Sequence, residues 1–208
     1  MRPDEPRRVA RVVTADEASA RLSWKFPELS VVYGDVASAL SAALDGDVVL
    51  VDPRWRWTVE PAKGAKRPLD LVISVDLEIA ALGGLGRARV EVWSRGVVAK
   101  ARLLLRRLDL VLVNQVADRI RVAGSLEIDD CRIIARGASS ARRGGDAVIK
   151  IEARAAISVR HSVVFACDRA ASCGVALDAL AGPCLITGSL ISCDAMAQTS
   201  LGTLSPLK

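Results

Sequence analysis

From Ser125 to Ile134 the chain reads SLEIDDCRII: apolar Leu126 and Ile128 alternate with acidic residues, two residues intervene, and the alternation resumes at Cys131 and Ile133. Written as apolar-x-apolar-x-x-small-x-apolar, the same rhythm returns at Ile157, Val159, Ser162 and Val164, and again at Cys184, Ile186, Ser189 and Ile191. An earlier copy places Leu103, Leu105, Leu108 and Leu110, with Leu108 in the slot that is small elsewhere. The copies follow one another at 23, 31 and 27 residues, a degenerate repeat. Before each lies a second alternating pair: Val90 and Val92, Ile120 and Val122, Ile149 and Ile151, Val175 and Leu177. Each unit therefore holds at least two short strands.

Repeats of this period predict a solenoid. Between Leu69 and Cys193 no i, i+3, i+4, i+7 stripe is sustained, while period-two alternation and β-branched residues dominate, which disfavours helical repeats. A leucine-rich repeat would place an Asn in every unit, and the chain has a single one, Asn114. The pattern predicts an all-β protein, a parallel β-helix in which each coil stacks its strands on the coil below. Leu126 and Ile128 then point inward and Glu127 and Asp129 outward. The interruption DD is a corner between strands, and the small residue after it (Cys131, Ser162, Ser189) fits the inside of the bend.

The segment DVASALSAALDGDVVLVDP, from Asp35 to Pro53, predicts a short helix and a first strand. Asp35 is the N-cap, Val36, Leu40 and Leu44 share one face, Gly46 supplies the stop, and the strand is Val48 to Val51. Such a helix would cap the bottom of the core. Together with the repeats, this opening resembles right-handed β-helix proteins of the pectin-lyase-like superfamily over roughly Gly34 to Cys193. The resemblance implies a right-handed coil. Many members cleave acidic polysaccharides, using carboxylates with calcium and a base, or clustered aspartates.

Three segments are expected: an N-terminal arm over residues 1–33, the β-helix over 34–194 and a tail over 195–208. In the arm, RRVARV suits an edge strand or a basic tail, and Thr14 with Glu17 forms a capping box for a short helix through Leu22. After the first strand, PRWRW leads out through Pro53, and EPAKGAKRP is a polar loop before a strand at Leu69 to Ile73.

Half of the 208 residues are apolar (51%), enough for one continuous core. No stretch is long and apolar enough to span a membrane, and the opening lacks a signal-peptide core. Five cysteines, an odd number, with Cys131 and Cys184 in core slots, suit an intracellular, reducing compartment. There is no C-x-x-C and His161 is the single histidine, so no metal site is expected. The net charge of +5 invites a nucleic-acid reading through Arg7, Arg8 and Arg11, Lys63, Lys66 and Arg67, Arg142 and Arg143. Aromatic residues make up only 3% of the chain and these charges scatter over separate segments, which disfavours nucleic acid. The glycines at Gly83 to Gly86 and within RRGGDA, Arg142 to Ala147, lack Walker spacing and read as turns, so no cofactor is expected.

Stacking the repeats brings Arg106, Asp129 and Arg160 to one outward position and Asp130 and His161 to the next. The histidine sits in RHS rather than the Gly-His-Gly context of the family's hydrolases, so no catalytic residue is assigned. The expectation is a non-catalytic β-helix scaffold or protein-interaction subunit of a larger assembly. The alternative is a carbohydrate-active enzyme or polysaccharide-binding protein. After Ile191 no amphipathic segment offers to cover the top of the core. Leu185, Leu190, Ile191, Met196, Leu201 and Leu204 are therefore the candidate docking residues, for another subunit or for self-association.

Overall fold

The computed structural model describes residues 9–16, 30–60, 70–83, 86–94, 96–114, 118–137, 149–168 and 175–195. In chain order the elements are β1 (Ala10–Val13), β2 (Ser30–Tyr33) and a single described helix, α1 (Val36–Ser41). The coils follow: β3 (Val48–Val51), β4 (Arg56–Val59) and β5 (Leu71–Ile73), then β6 (Leu77–Ala81), β7 (Ala88–Val92) and β8 (Val97–Ala99). Next come β9 (Leu103–Arg106), β10 (Leu108–Asn114) and β11 (Asp118–Val122), then β12 (Leu126–Asp129), β13 (Arg132–Gly137) and β14 (Ile149–Ala153). The chain closes with β15 (Ile157–Arg160), β16 (Val163–Asp168) and β17 (Val175–Ala179), then β18 (Cys184–Thr187) and β19 (Leu190–Ala195).

From β3 onward, successive strands visit three sheets in strict rotation, and every pairing is parallel. Sheet A has eight strands in the order β18-β15-β12-β9-β6-β3-β1-β2, sheet B six (β19-β16-β13-β10-β7-β4) and sheet C five (β17-β14-β11-β8-β5). This is a parallel β-helix with five complete three-strand coils and two strands of a sixth. The repeat alignment is the pairing register: Leu103, Leu126, Ile157 and Cys184 stack, as do Leu105, Ile128, Val159 and Ile186. Ile128, Val159, Leu126 and Ile133 are fully buried, so inward positions of successive coils form one dry column.

Each complete unit has three strands, in keeping with the minimum of two that the pairs set. Val90 and Val92 lie in sheet B beneath Leu110 and Leu112, whereas Ile120 and Val122 lie in sheet C beneath Ile151 and Ala153. The pair equivalent to the latter in the coil below is Val97 and Ala99, whose alternation spans only three residues and is weak as a signal.

The corner between sheets A and B is one residue, with Asp129 still part of its strand. Arg107, Asp130, His161 and Gly188 occupy this place in successive coils, all left-handed at φ 51, 49, 49 and 57. Only glycine adopts that conformation freely, so the corner imposes it on the other three. The small residue that follows stabilises the bend: Ser162 Oγ donates to Arg160 O (2.6 Å), Ser189 Oγ to Thr187 O (2.9 Å) and Cys131 Sγ to Asp129 O (3.3 Å). The same oxygens receive the amides of the coil below, Cys131 N on Ser162 Oγ (3.0 Å) and Ser162 N on Ser189 Oγ (3.1 Å). A polar ladder thus satisfies buried backbone donors that the strands leave over.

The N-terminal end is closed. Asp35 caps α1, accepting from Ser38 N (2.7 Å), which holds the carboxyl below its usual range, and the Ser38 hydroxyl adds to the effect. Val36 and Ala39 are buried against the core with Leu40 partly so, but Leu44 is 63% exposed. That corrects the expected helical face: α1 ends at Ser41 with Ala42 as its C-cap, before Leu44, and Gly46 (φ 80) serves the following turn. Residues 10–13 are not an edge: β1 lies between β2 and β3, and β2 is the edge. Arg11 takes an inward position there, buried, its Nε on Asp47 Oδ2 at 2.6 Å and its Nη1 on the Tyr33 hydroxyl at 2.7 Å. Thr14 is buried too, donating to Asp52 Oδ2 (2.9 Å). Glu17 to Leu22 lie outside the described residues, as do Leu69, most of the 60–68 loop, Gly84 and Leu85, and residues 142–147.

Candidate functional site

Two places concentrate unusual chemistry, the outward face beside the A–B corner and the last coil. At the first, pairing brings Arg106, Asp129 and Arg160 into one outward row, with Asp130 and His161 at the corner, as the repeat alignment requires. The charges are used pairwise. Glu127 takes Arg102 and, at 3.6 Å, Arg160; Arg106 reaches Glu78 at 3.3 Å; Arg87 holds Asp130. His161 Nδ1 stands 3.5 Å from Asp129 Oδ1, with the imidazole 69% exposed. Such rows of alternating charge cancel between coils, and exposed pairs contribute little each. Among the described residues no group of three or more His, Cys, Asp or Glu is arranged to hold a metal ion.

On the neighbouring faces, buried or partly buried carboxylates are held ionised by half-exposed arginine and lysine side chains. Burial opposes ionisation of Glu91, but Arg56 (2.6 Å) and Arg89 (3.0 Å) outweigh it and depress the carboxyl. Lys150 and then Arg121 do the same for Glu152. Asp52, buried at the end of β3, is depressed chiefly by the Arg54 guanidinium (2.6 Å). Each acid is locked to a partner, which makes these scaffold contacts between or within coils.

The last coil differs. In sheet A the outward row runs Arg106, Asp129, Arg160 and then Thr187; in sheet B it runs Arg56, Arg89, Asp109, Arg132, then Val163 and Leu190. Residues 175–195 contain no Lys or Arg, only Asp178 and Asp194. The core column ends in the open: Ile128 and Val159 are fully buried, whereas Ile186 above them is 41% exposed and Cys184 is exposed. Of the candidate docking residues, Leu185 and Leu190 are each 59% exposed and Ile191 is half-buried against the core. Met196, Leu201 and Leu204 lie outside the described residues. Ile186, Cys184 and Leu180, also exposed, were missed because the pattern assigned the first two to core slots. Their place in the last copy of the repeat was the available signal.

Of the cysteines, Cys131 and Cys184 are free thiols; burial pushes Cys131 up to about 11, against the donated Leu108 amide. Among the described residues no helix is long and apolar enough to cross a membrane. No family model matches the chain, no curated protein matches its sequence and no solved structure matches it.

Proposed function

We propose that this β-helix is a non-catalytic scaffold, a protein-interaction subunit that docks a partner protein on its last coil. The observation that carries the reading is that core side chains Cys184 and Ile186 reach the surface at that coil, where the charged outward row of sheet A gives way to Thr187 and that of sheet B, already apolar at Val163, continues to Leu190. An exposed apolar end with unpaired strand edges invites association, and natural edges normally carry charges against it. Inclusion in the pectin-lyase-like superfamily belongs to the same reading, supported by the coil rhythm and the helix that precedes the first coil. A reducing compartment belongs to the same reading, supported by the odd number of cysteines and the free thiol of Cys131 in the core.

The test places a photo-crosslinking amino acid at Leu185 or Leu190 and, as a control, at Val72, which is 50% exposed near the opposite end. Capture of a protein partner from the last coil and not from Val72 is the expected result. Equal capture from both would overturn the docking role. The second reading, a carbohydrate-active protein, draws on the row of Asp129, Asp130 and His161. Unsaturated products from uronic-acid polymers, lost in Asp129→Ala or Asp130→Ala, would replace the scaffold reading with it.

A further inference from the structure

We infer that the partner is a second copy of this chain, docked end to end about a two-fold axis through β18; the inference rests on the docking role just proposed and names its occupant. Among the described residues three strand edges open within a single turn of the solenoid: there β17 pairs with β14 alone, β18 with β15 alone and β19 with β16 alone. A single strand or helix from elsewhere can satisfy one such edge. Satisfying all three needs a partner that presents three edges at the same mutual angles, and the last coil of another copy is that triangle.

The symmetry closes the contact evenly. A two-fold axis perpendicular to the solenoid reverses the sense in which the chain circulates, so β18 meets its own mate antiparallel. The six-residue β19 then faces the five-residue β17 of the other copy, and the reverse. The coil is also a ramp that climbs about 4.8 Å, one strand spacing, per turn. In one copy β17 sits lower and β19 higher than β18; in the inverted copy the heights are exchanged, so the high strand descends onto the low one and the gap is one strand spacing all round. Near the axis Ile186 and Cys184 meet their counterparts and continue the core column, which ends exposed in the single chain.

The opposite end of the chain is not an equivalent surface. There sheet A runs on through β3, β1 and β2 while sheets B and C stop at β4 and β5, and α1 with the Arg11–Asp47 pair fills the mouth. Its outline does not match the open triangle, so head-to-tail growth is blocked and association stops at a pair. Residues 175–195 carry no Lys or Arg; their charges are Asp178 on β17 and Asp194 on β19, so the contact is made by apolar side chains and strand edges and not by ion pairs.

The experiment measures the mass of the full chain in solution from low to high micromolar concentration, together with the rate of alkylation of Cys184 read by peptide mapping. The expected result is a mass rising to twice 22.1 kDa, with Cys184 alkylation slowed at least tenfold in the pair. Ile186→Lys should return the mass to that of one chain and restore fast alkylation, because the ammonium escapes to solvent in the single copy and is buried against its mate in the pair. Should that variant misfold, the concentration dependence of Cys184 alkylation in the unaltered protein decides alone. A single-chain mass at every concentration with Cys184 reactive overturns the second copy; if crosslinkers at Leu185 then capture a different protein, the docking role survives without it. A single-chain mass with Cys184 protected means that the chain covers its own last coil, and both readings fall.

Discussion

At its first coil the solenoid meets α1, β1 and β2, and an inward position there holds Arg11, neutralised by Asp47 and hydrogen-bonded to the Tyr33 hydroxyl. At its last coil the corresponding inward positions hold Ile186, 41% exposed, and the exposed Cys184, with no helix above them among the described residues. The first coil is thus covered by the apolar face of α1 and a buried ion pair, with β2, β4 and β5 as the sheet edges, whereas the last coil leaves Ile186 and Cys184 exposed. Closing an end requires satisfying backbone groups as well as covering carbon, which is why the closed end spends a helix cap, a buried ion pair and two extra strands.

The largest effect is expected at the closed end. Asp47→Ala leaves the Arg11 guanidinium buried without its counter-charge and should cost about 3–5 kcal/mol, read as a lowered urea midpoint. Next comes a matched pair in one column. Ile128→Ala should cost about 2–5 kcal/mol, whereas Ile186→Ala, at a position 41% exposed, should cost under about 1 kcal/mol in the single chain. Equal losses would erase the contrast between the ends.

A smaller effect concerns acid. Asp35 and Asp52 are both depressed below their ordinary 3.8, the first by Ser38 and the second by Arg54. Their contribution is fully present above that value and is lost as pH falls through it toward the lower folded value. Asp52→Asn should therefore flatten the acid limb of the stability curve, and Asp35→Ala, which removes the N-cap, should cost about 1 kcal/mol at neutral pH. The smallest effect is at the outward rows: Arg160→Ala should change stability by under about 1 kcal/mol, and less at high salt.

The coil register was legible from sequence because inward residues must be apolar at period two and the corner shifts that phase in every copy. Leu126, Ile128, Cys131 and Ile133 carried the signal in full. The third strand of each coil was not legible where it is as short as Val97–Ala99, which cannot display a period. The corner between sheets C and A also escaped notice. Gly124 and Gly182 stack on Ala101 and Ala155, and a Cβ on Gly182 would lie 2.3 Å from Ala155 O, so these glycines answer to the coil below, one repeat earlier in the chain, rather than to their neighbours.

The docking residues divide along the same line. Leu185 and Leu190 could be marked in advance because they are apolar at outward positions of the last copy of the repeat, although Leu104 and Val163 show that an apolar residue also occurs there in earlier coils. Ile186 and Cys184 could not be separated from Ile128 and Leu126 by type or spacing, since their local pattern is identical. Alternation along the chain determined the fold and the stacking order, because each strand must choose a buried face by itself. Which members of a column are covered was decided only by the tertiary structure, because burial of one coil is conferred by the coil above it.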